Sequence, residues 1–481
     1  MLDVLIVGAG ISGISAACHL RQLCPNKTFS ILEARDNIGG TWDLFRYPGI
    51  RSDSDMHTFG FDFKPWTKPK ALADGPSILQ YLREAVDEYE VEETIQFGHK
   101  VRSAAWESEK SCWTVTSNNK SGEEHRISAR VLFMCSGYYN YEAGYLPEFP
   151  GIENFKGLVI HPQHWPEGLD YKGKKIAVIG SGATAVTLVP AMAEEAAKVT
   201  MIQRSPTYIV SRPGKDKFAN FLTRYLPDKL AYRITRWRNI RYQDLVYNRS
   251  RTNPARMKQR ILAMVSEEMG EDFDVAKHFT PKYNPWDQRL CLIPDSDLFL
   301  AIKAGKAEVV TDQIECITQN RVKLKSGTEV EADILVTATG LKLQILGGVE
   351  FSKDGKAIDF SDRFYYQGMM FSGVPNLVQT FGYINASWTL RADLNSKFVC
   401  RMLQRMDKVG ATQCVPVLRE SEKDMPGQDW VSDFNPGYMR RSMDQFPKQG
   451  DRSPWRNTQD YLLDRRLLGN GPVNDGVLQF I

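Results

Sequence analysis

"LDVLIVGAGISGISAACHL", residues 2 to 20, opens the chain and decides its fold. A short apolar run reads as a buried strand, and it breaks at Gly8. Gly8, Gly10 and Gly13 stand in G-x-G-x-x-G spacing before a helical pattern. The first glycine permits the tight turn, the second lets backbone approach a pyrophosphate, and the third lets helix pack on strand. The helix N-terminus attracts the anion. A second apolar stretch, "FSILEA", ends at Glu33, twenty residues beyond Gly13, where an acid can accept from ribose hydroxyls.

The same grammar returns in "KKIAVIGSGATAVTLVPAM", residues 174 to 192. Gly180, Gly182 and Ala185 take G-x-G-x-x-A form, so the loop Ser181, Gly182, Ala183, Thr184 is a second phosphate cradle. Its following strand, "KVTMIQRS", ends in Arg204 instead of an acid, nineteen residues after Ala185. An acid there would repel a 2'-phosphate, whereas a guanidinium pairs with it through two parallel hydrogen bonds. The second site therefore reads as NADP, with Ser205 as a further hydroxyl donor.

Two dinucleotide folds need two dinucleotides, and the N-terminal one, with Glu33, is best matched to FAD. "RVLFMCSG" (130–137) and "ADILVTATG" (332–340) are hydrophobic strands ending in small residues and glycine, where the chain crosses between domains. The expected fold is α/β: two Rossmann-like dinucleotide-binding domains, an NADP domain inserted into a discontinuous FAD domain, plus a helical insertion. The expected bounds are 1–150 and 335–481 for FAD, 151–212 and 285–334 for NADP, and 213–284 for the insertion. Between Lys100 and Gly137 the alternation of apolar and polar residues reads as a small antiparallel layer. Val101 at its start offers backbone to the adenine.

Composition agrees and excludes rivals. The 481 residues carry a formal charge of +3, too balanced for nucleic acid as main partner, and 42% hydrophobic content is ordinary for globular chains. The eight cysteines form no C-x-x-C, which leaves no local pair for a disulfide redox cycle or a zinc ribbon. No apolar stretch reaches the ~20 residues of a membrane span, and no secretory signal opens the chain. A soluble, cytoplasmic protein is expected. Residues 215–260 hold thirteen basic and three acidic residues interleaved with aromatics. They read either as an insertion packed on its domain with solvated arginines or as a weak peripheral contact with anionic lipid at the inner face of the membrane.

"FKGLVIHPQHWP" (155–166) holds His161 and His164 three positions apart, but Pro162 and Pro166 argue against the helix that would align them for a metal. Phe155, Gly157, His161, Trp165 and Pro166 fit F-x-G-x-x-x-H-x-x-x-W-P between the two glycine loops. This closely resembles the fingerprint of type I Baeyer-Villiger monooxygenases. "GGTWDLFRYPGIRSDSD" (39–55) is similar to a second stretch of that family, and the likeness runs over nearly the whole chain, most strongly to a subgroup acting on ketones, thioamides and sulfides.

That resemblance implies an NADPH- and O2-dependent FAD enzyme that turns a ketone or aldehyde into an ester through a C4a-peroxyflavin, and oxygenates soft sulfur. It implies a hinge role for His161, with no metal. It places Arg289, in "NPWDQRLC", over the flavin as the catalytic charge, with Asp53 orienting it and touching the cofactor. Gly40, Thr41, Trp42 and Ser12 join the FAD-binding set. Gln288 stands where many members place a lysine, which leaves Arg204 as the main discriminator for NADPH. Two other readings stay open: a flavin monooxygenase hydroxylating only nitrogen or sulfur, and a membrane-peripheral NADPH-dependent flavoprotein passing electrons to a partner.

Overall fold

The computed structural model describes residues 1–431 and 437–481. Strand β1 (Leu2–Val7) runs through the Gly8 turn into helix α1 (Ile11–Leu23), and β2 (Phe29–Leu32) returns parallel beside β1 with Val4 opposite Phe29. Val4, Leu5 and Ile6 are wholly buried, as parallel strands covered on both faces must be. The short β3 (Ile95–Gln96) extends this edge.

On the other side of β1, β4 (Lys100–Glu107), β5 (Cys112–Asn118) and β6 (Glu124–Met134) form the antiparallel layer. β6 belongs to both systems. Its first half, exposed at Glu124 to Arg126, pairs with β5, and its buried second half lies parallel to β1 and to the strand Leu377–Gln379. The layer and the nucleotide core are thus one nine-stranded sheet.

The second sheet has five strands, all parallel, ordered Ala307–Thr311, Lys198–Gln203, Lys175–Ile179, Ile334–Thr337, Leu158–Ile160. Ile334–Thr337 lies entirely within this sheet, because it pairs with strands on both sides, so the expected bound between 334 and 335 cuts a strand. The chain crosses back after Gly340. There Leu341–Leu343 pairs antiparallel with Tyr139–Gly144, bringing the two crossings side by side.

The insertion is three helices, Lys217–Tyr225, Asp228–Thr252 and Pro254–Met269, plus a short turn at Val275–His278. It docks on the first lobe through a buried cation. Arg236 donates from Nη1 to the carbonyls of His57 (3.0 Å), Thr58 (3.1 Å) and Gly60 (2.7 Å), and its Nη2 lies 3.4 Å from Asp393. Asp393 belongs to the helix Trp388–Val409, which packs on α1, and it also accepts from Ser15 Oγ and the Asp62 amide. The insertion's aromatics divide: Tyr232 is buried beside Arg236, whereas Phe221, Tyr225 and Trp237 face solvent. Among the described residues no helix is long and apolar enough to cross a membrane.

Candidate active site: two cavities meeting at Arg289

The first cavity, about 430 Å³, follows the C-terminal ends of β1 and β2. Gly8, Gly10, Ser12, Glu33, Gly40, Thr41, Trp42 and Val101 all line it. Gly8 has φ +102°, and a Cβ there would stand 2.7 Å from the Cys135 carbonyl oxygen, so only glycine fits. Gly13 does not line the cavity. A Cβ on it would run into the Gly8 carbonyl, which is the helix-to-turn packing its spacing implies.

Glu33 is 5% exposed and accepts from the amides of Ala9 (2.7 Å) and Arg35 (2.9 Å). Burial raises its pKa, while these two donors and the Arg35 charge pull the other way. A buried carboxylate with two donors still gains from further ones, and ribose hydroxyls are such donors. With the glycine floor, where a Cβ on Gly40 would stand 3.2 Å from the Gly10 Cα, these residues fit a dinucleotide: bare backbone for the pyrophosphate, an acid for the ribose, and the β4 start at Val101 for the base.

Three liners carried no signal as site residues in the sequence. Tyr138 directly follows the strand-to-glycine crossing and stacks on Trp388, with ring centroids 5.1 Å apart. Trp388 donates its indole N–H to Ser12 Oγ at 2.7 Å, tying the helix Trp388–Val409 to the first turn of α1. Tyr141, whose phenol burial pushes up to about 12, contacts Thr41 Oγ1 at 3.2 Å. Aromatics placed after the crossing and at a helix start are invisible as a group, because 138, 141 and 388 become neighbours only through the fold.

The second cavity, about 810 Å³, lies among the insertion, the first lobe and the loop 284–292. Arg289 and Asp53 line it together, Arg289 Nη2 lying 3.1 Å from Asp53 Oδ2. Asp53, expected on the cofactor as well, lines this second cavity while the first is walled by other groups. The cavities adjoin at Tyr138. Burial pushes its phenol up, and the Arg289 guanidinium, within hydrogen-bonding range, works against that shift.

The second glycine loop is more open. Gly180 has φ +142°, with the Ala338 carbonyl where a Cβ would go, and around Gly182 a Cβ would meet nothing within 4 Å. Ser181 Oγ donates to the Ser205 carbonyl at 2.9 Å, bracing the loop against the next strand end. Thr184 bonds the buried Tyr47, and Ala185 is fully buried under its strand. Arg204 and Ser205 stand exposed at the strand end, and Ala183 is exposed at the helix start. Exposed donors around bare backbone fit a phosphorylated dinucleotide.

His161 joins the two crossings. Its Nε2 donates to the Gly340 carbonyl (3.1 Å), its Nδ1 accepts from the Gln163 amide (3.2 Å), and a Cβ on Gly144 would overlap its ring. His164 bonds a different carbonyl, that of Glu142, at 3.1 Å. The fingerprint therefore stitches strand to strand.

The model of flavin-binding monooxygenase-like proteins matches residues 2–346, a span holding both glycine loops, Asp53 and Arg289. The chain belongs to the flavin-binding monooxygenase-like family. This monooxygenase-family chain is 53% identical to the FAD-containing monooxygenase EthA of Mycobacterium tuberculosis over 484 residues, covering 100% of the chain and 97% of EthA. Its fold matches that of steroid monooxygenase bound to NADP (TM-score 0.72, 25% identity, 86% of this chain and 87% of that one). It also matches cyclohexanone monooxygenase (TM-score 0.73, 24% identity, 86% and 90%). The two Rossmann-like lobes are therefore those of a flavoprotein oxidoreductase.

Proposed function

We propose that the chain is an NADPH- and oxygen-dependent FAD monooxygenase that inserts one oxygen atom beside a carbonyl and also oxygenates sulfides and thioamides. The observation that carries this reading is the Arg289–Asp53 pair, set in a large cavity next to the first nucleotide cleft. Identity to an FAD-containing monooxygenase over the whole chain supports it. The proposed division gives FAD residues 1–150 and the part beyond the second crossing, and NADP the five-stranded lobe.

FAD bound in the first cleft supplies an acceptor for the nicotinamide's electrons and, once reduced, a centre that reacts with oxygen. Gly8, Gly10 and the N-terminus of α1 would hold its pyrophosphate, Glu33 its ribose, and Gly40, Thr41 and Trp42 would close over it. Gly180 to Ala185 would hold the second pyrophosphate and Arg204 the 2'-phosphate. Arg289 keeps its charge at any working pH, so it can hold negative charge on oxygen as a carbonyl carbon is attacked. Asp53 fixes the guanidinium's position and tempers its field. The insertion helices form one wall of the cavity beside that charge. The overall change is ketone plus O2, NADPH and H+ to ester, NADP+ and water.

The test is NADPH-dependent oxygen uptake stimulated by a ketone, with the ester identified as product; oxygenation of a thioether alone would favour the hydroxylating alternative. Phe221, Tyr225, Leu230 and Trp237, exposed among Arg224, Lys229, Arg233 and Arg241, support a weak contact with anionic membrane from a cytoplasmic location. Cosedimentation with anionic but not neutral vesicles tests that contact.

A further inference from the structure

The second cavity is more cationic than its chemistry at Arg289 requires. Six cations and three acids line it. Arg289 pairs with Asp53 and Arg238 with Asp216, while Asp55 is taken up by the Thr58 amide and the Asn239 and Gln243 side chains. Arg212, Lys215, Lys217 and Arg260 remain, and none of these four makes an ion pair with a described residue. Arg212 is half-buried, with its guanidinium 5.3 Å from the Tyr242 ring centroid; the other three are exposed.

Their placement is not that of a solvated helix face. Arg212, Lys215 and Lys217 lie on the segment from the strand Ile209–Arg212 into the first insertion helix, and Arg260 comes from the third. These separate elements converge on one cavity. Arg212 pairs with Pro294 at one end of a two-stranded ladder, and Arg289 stands just before its other end, where Cys291 lies opposite Ile209 and Tyr138 is near. Val210 and Leu292 lie along that ladder, and Met257, Ile261, Leu290 and Ile384 add apolar lining beside the polar Asn239 and Gln243. Such a cavity has a cationic rim, a greasy middle and a reacting end. The 2'-phosphate reading rests on Arg204 beside the second glycine loop and does not call on these rim cations.

We propose that the cavity selects a carbonyl compound whose aliphatic chain ends in a carboxylate, a medium- to long-chain keto acid. The rim cations Arg212 and Arg260, flanked by Lys215 and Lys217, receive the carboxylate, the apolar wall takes the chain, and the ketone reaches Arg289. Desolvated apolar wall favours the methylenes, and charge-assisted bonds fix the head. This inference rests on the monooxygenase reading above and deepens it by naming the substrate class.

The experiment compares dodecan-2-one with 11-oxododecanoate, equal in carbon number and differing in the terminal carboxylate. The purified holoenzyme should show kcat/KM at least about tenfold higher for the keto acid, an advantage that shrinks as salt is raised. In R212Q/R260Q the keto acid to ketone ratio should fall by about tenfold or more. Dodecanoate, which cannot react, should bind the wild-type protein by calorimetry and lose affinity in the same variant. Equal kcat/KM for the two substrates, or a ratio unmoved by the variant, overturns the proposal. A rise in KM for NADPH matching the loss overturns it too, because the rim would then serve the dinucleotide. Should neither ketone yield an ester, the monooxygenase reading fails, while dodecanoate binding still decides the rim.

Discussion

Replacing Arg236 by methionine keeps most of the side-chain volume and removes the cation that fastens the insertion to the first lobe. Three carbonyls, those of His57, Thr58 and Gly60, then lose a donor at 2.7 to 3.1 Å, and Asp393 loses a charge 3.4 Å away. Removing one member of a buried pair costs about 3–5 kcal/mol. Asp393 keeps Ser15 Oγ at 2.8 Å and the Asp62 amide at 2.9 Å, which argues for the lower end, about 3 kcal/mol. That is roughly a 150-fold rise in local opening of the helix Asp228–Thr252. Native-state hydrogen exchange along that helix measures it directly, with exposed Arg233→Met as the control, where a change within about ±0.5 kcal/mol is expected. Because the same helix walls the second cavity, KM for a ketone should rise while reduction by NADPH is spared. Protection within about threefold of wild type in R236M would refute the role given to this residue.

Two other outcomes follow from single contacts. Burial holds His161 below its ordinary pKa of 6.5, and only the neutral ring can accept the Gln163 amide at Nδ1. Its contribution is therefore complete above about pH 6.5 and is lost as pH falls through that value toward the depressed one; the protection factor of the Gln163 amide, relative to the unprotected exchange rate at each pH, should fall in acid, and His161→Asn should abolish that dependence. Arg204→Ala should lower the preference of kcat/KM for NADPH over NADH by about 10- to 100-fold, since a charge-assisted phosphate contact is worth about 1.5–3 kcal/mol; an unchanged ratio would remove Arg204 from cofactor selection.

Much of this was legible in the chain. Both glycine loops are local patterns, and Gly8 with φ +102° and Gly13 under its helix do what the spacing requires. Glu33 was legible because a strand end sits at a fixed distance along a βαβ unit. The strand Ile334–Thr337 was harder to assign, since a buried run reads alike in either sheet and only its pairing decides. Tyr138 and Trp388, 250 positions apart in sequence, stack only because one ends a sheet crossing and the other starts a late helix. Three rim cations, Lys215, Lys217 and Arg260, were visible within the basic segment 215–260, but Arg212 lay outside it and their common aim was not legible. Helical spacing says which residues share a face, not that Arg212 from a strand end and Arg260 from another helix meet across one cavity.

The most direct test of the claim that Arg289 holds negative charge on oxygen is the yield of ester and of hydrogen peroxide per NADPH consumed, in the wild type and in Arg289→Ala. The expected result is that the variant still oxidises NADPH and takes up oxygen, with ester formation falling about 100-fold or more and hydrogen peroxide taking its place. Ester formed at the wild-type yield without that guanidinium would contradict it.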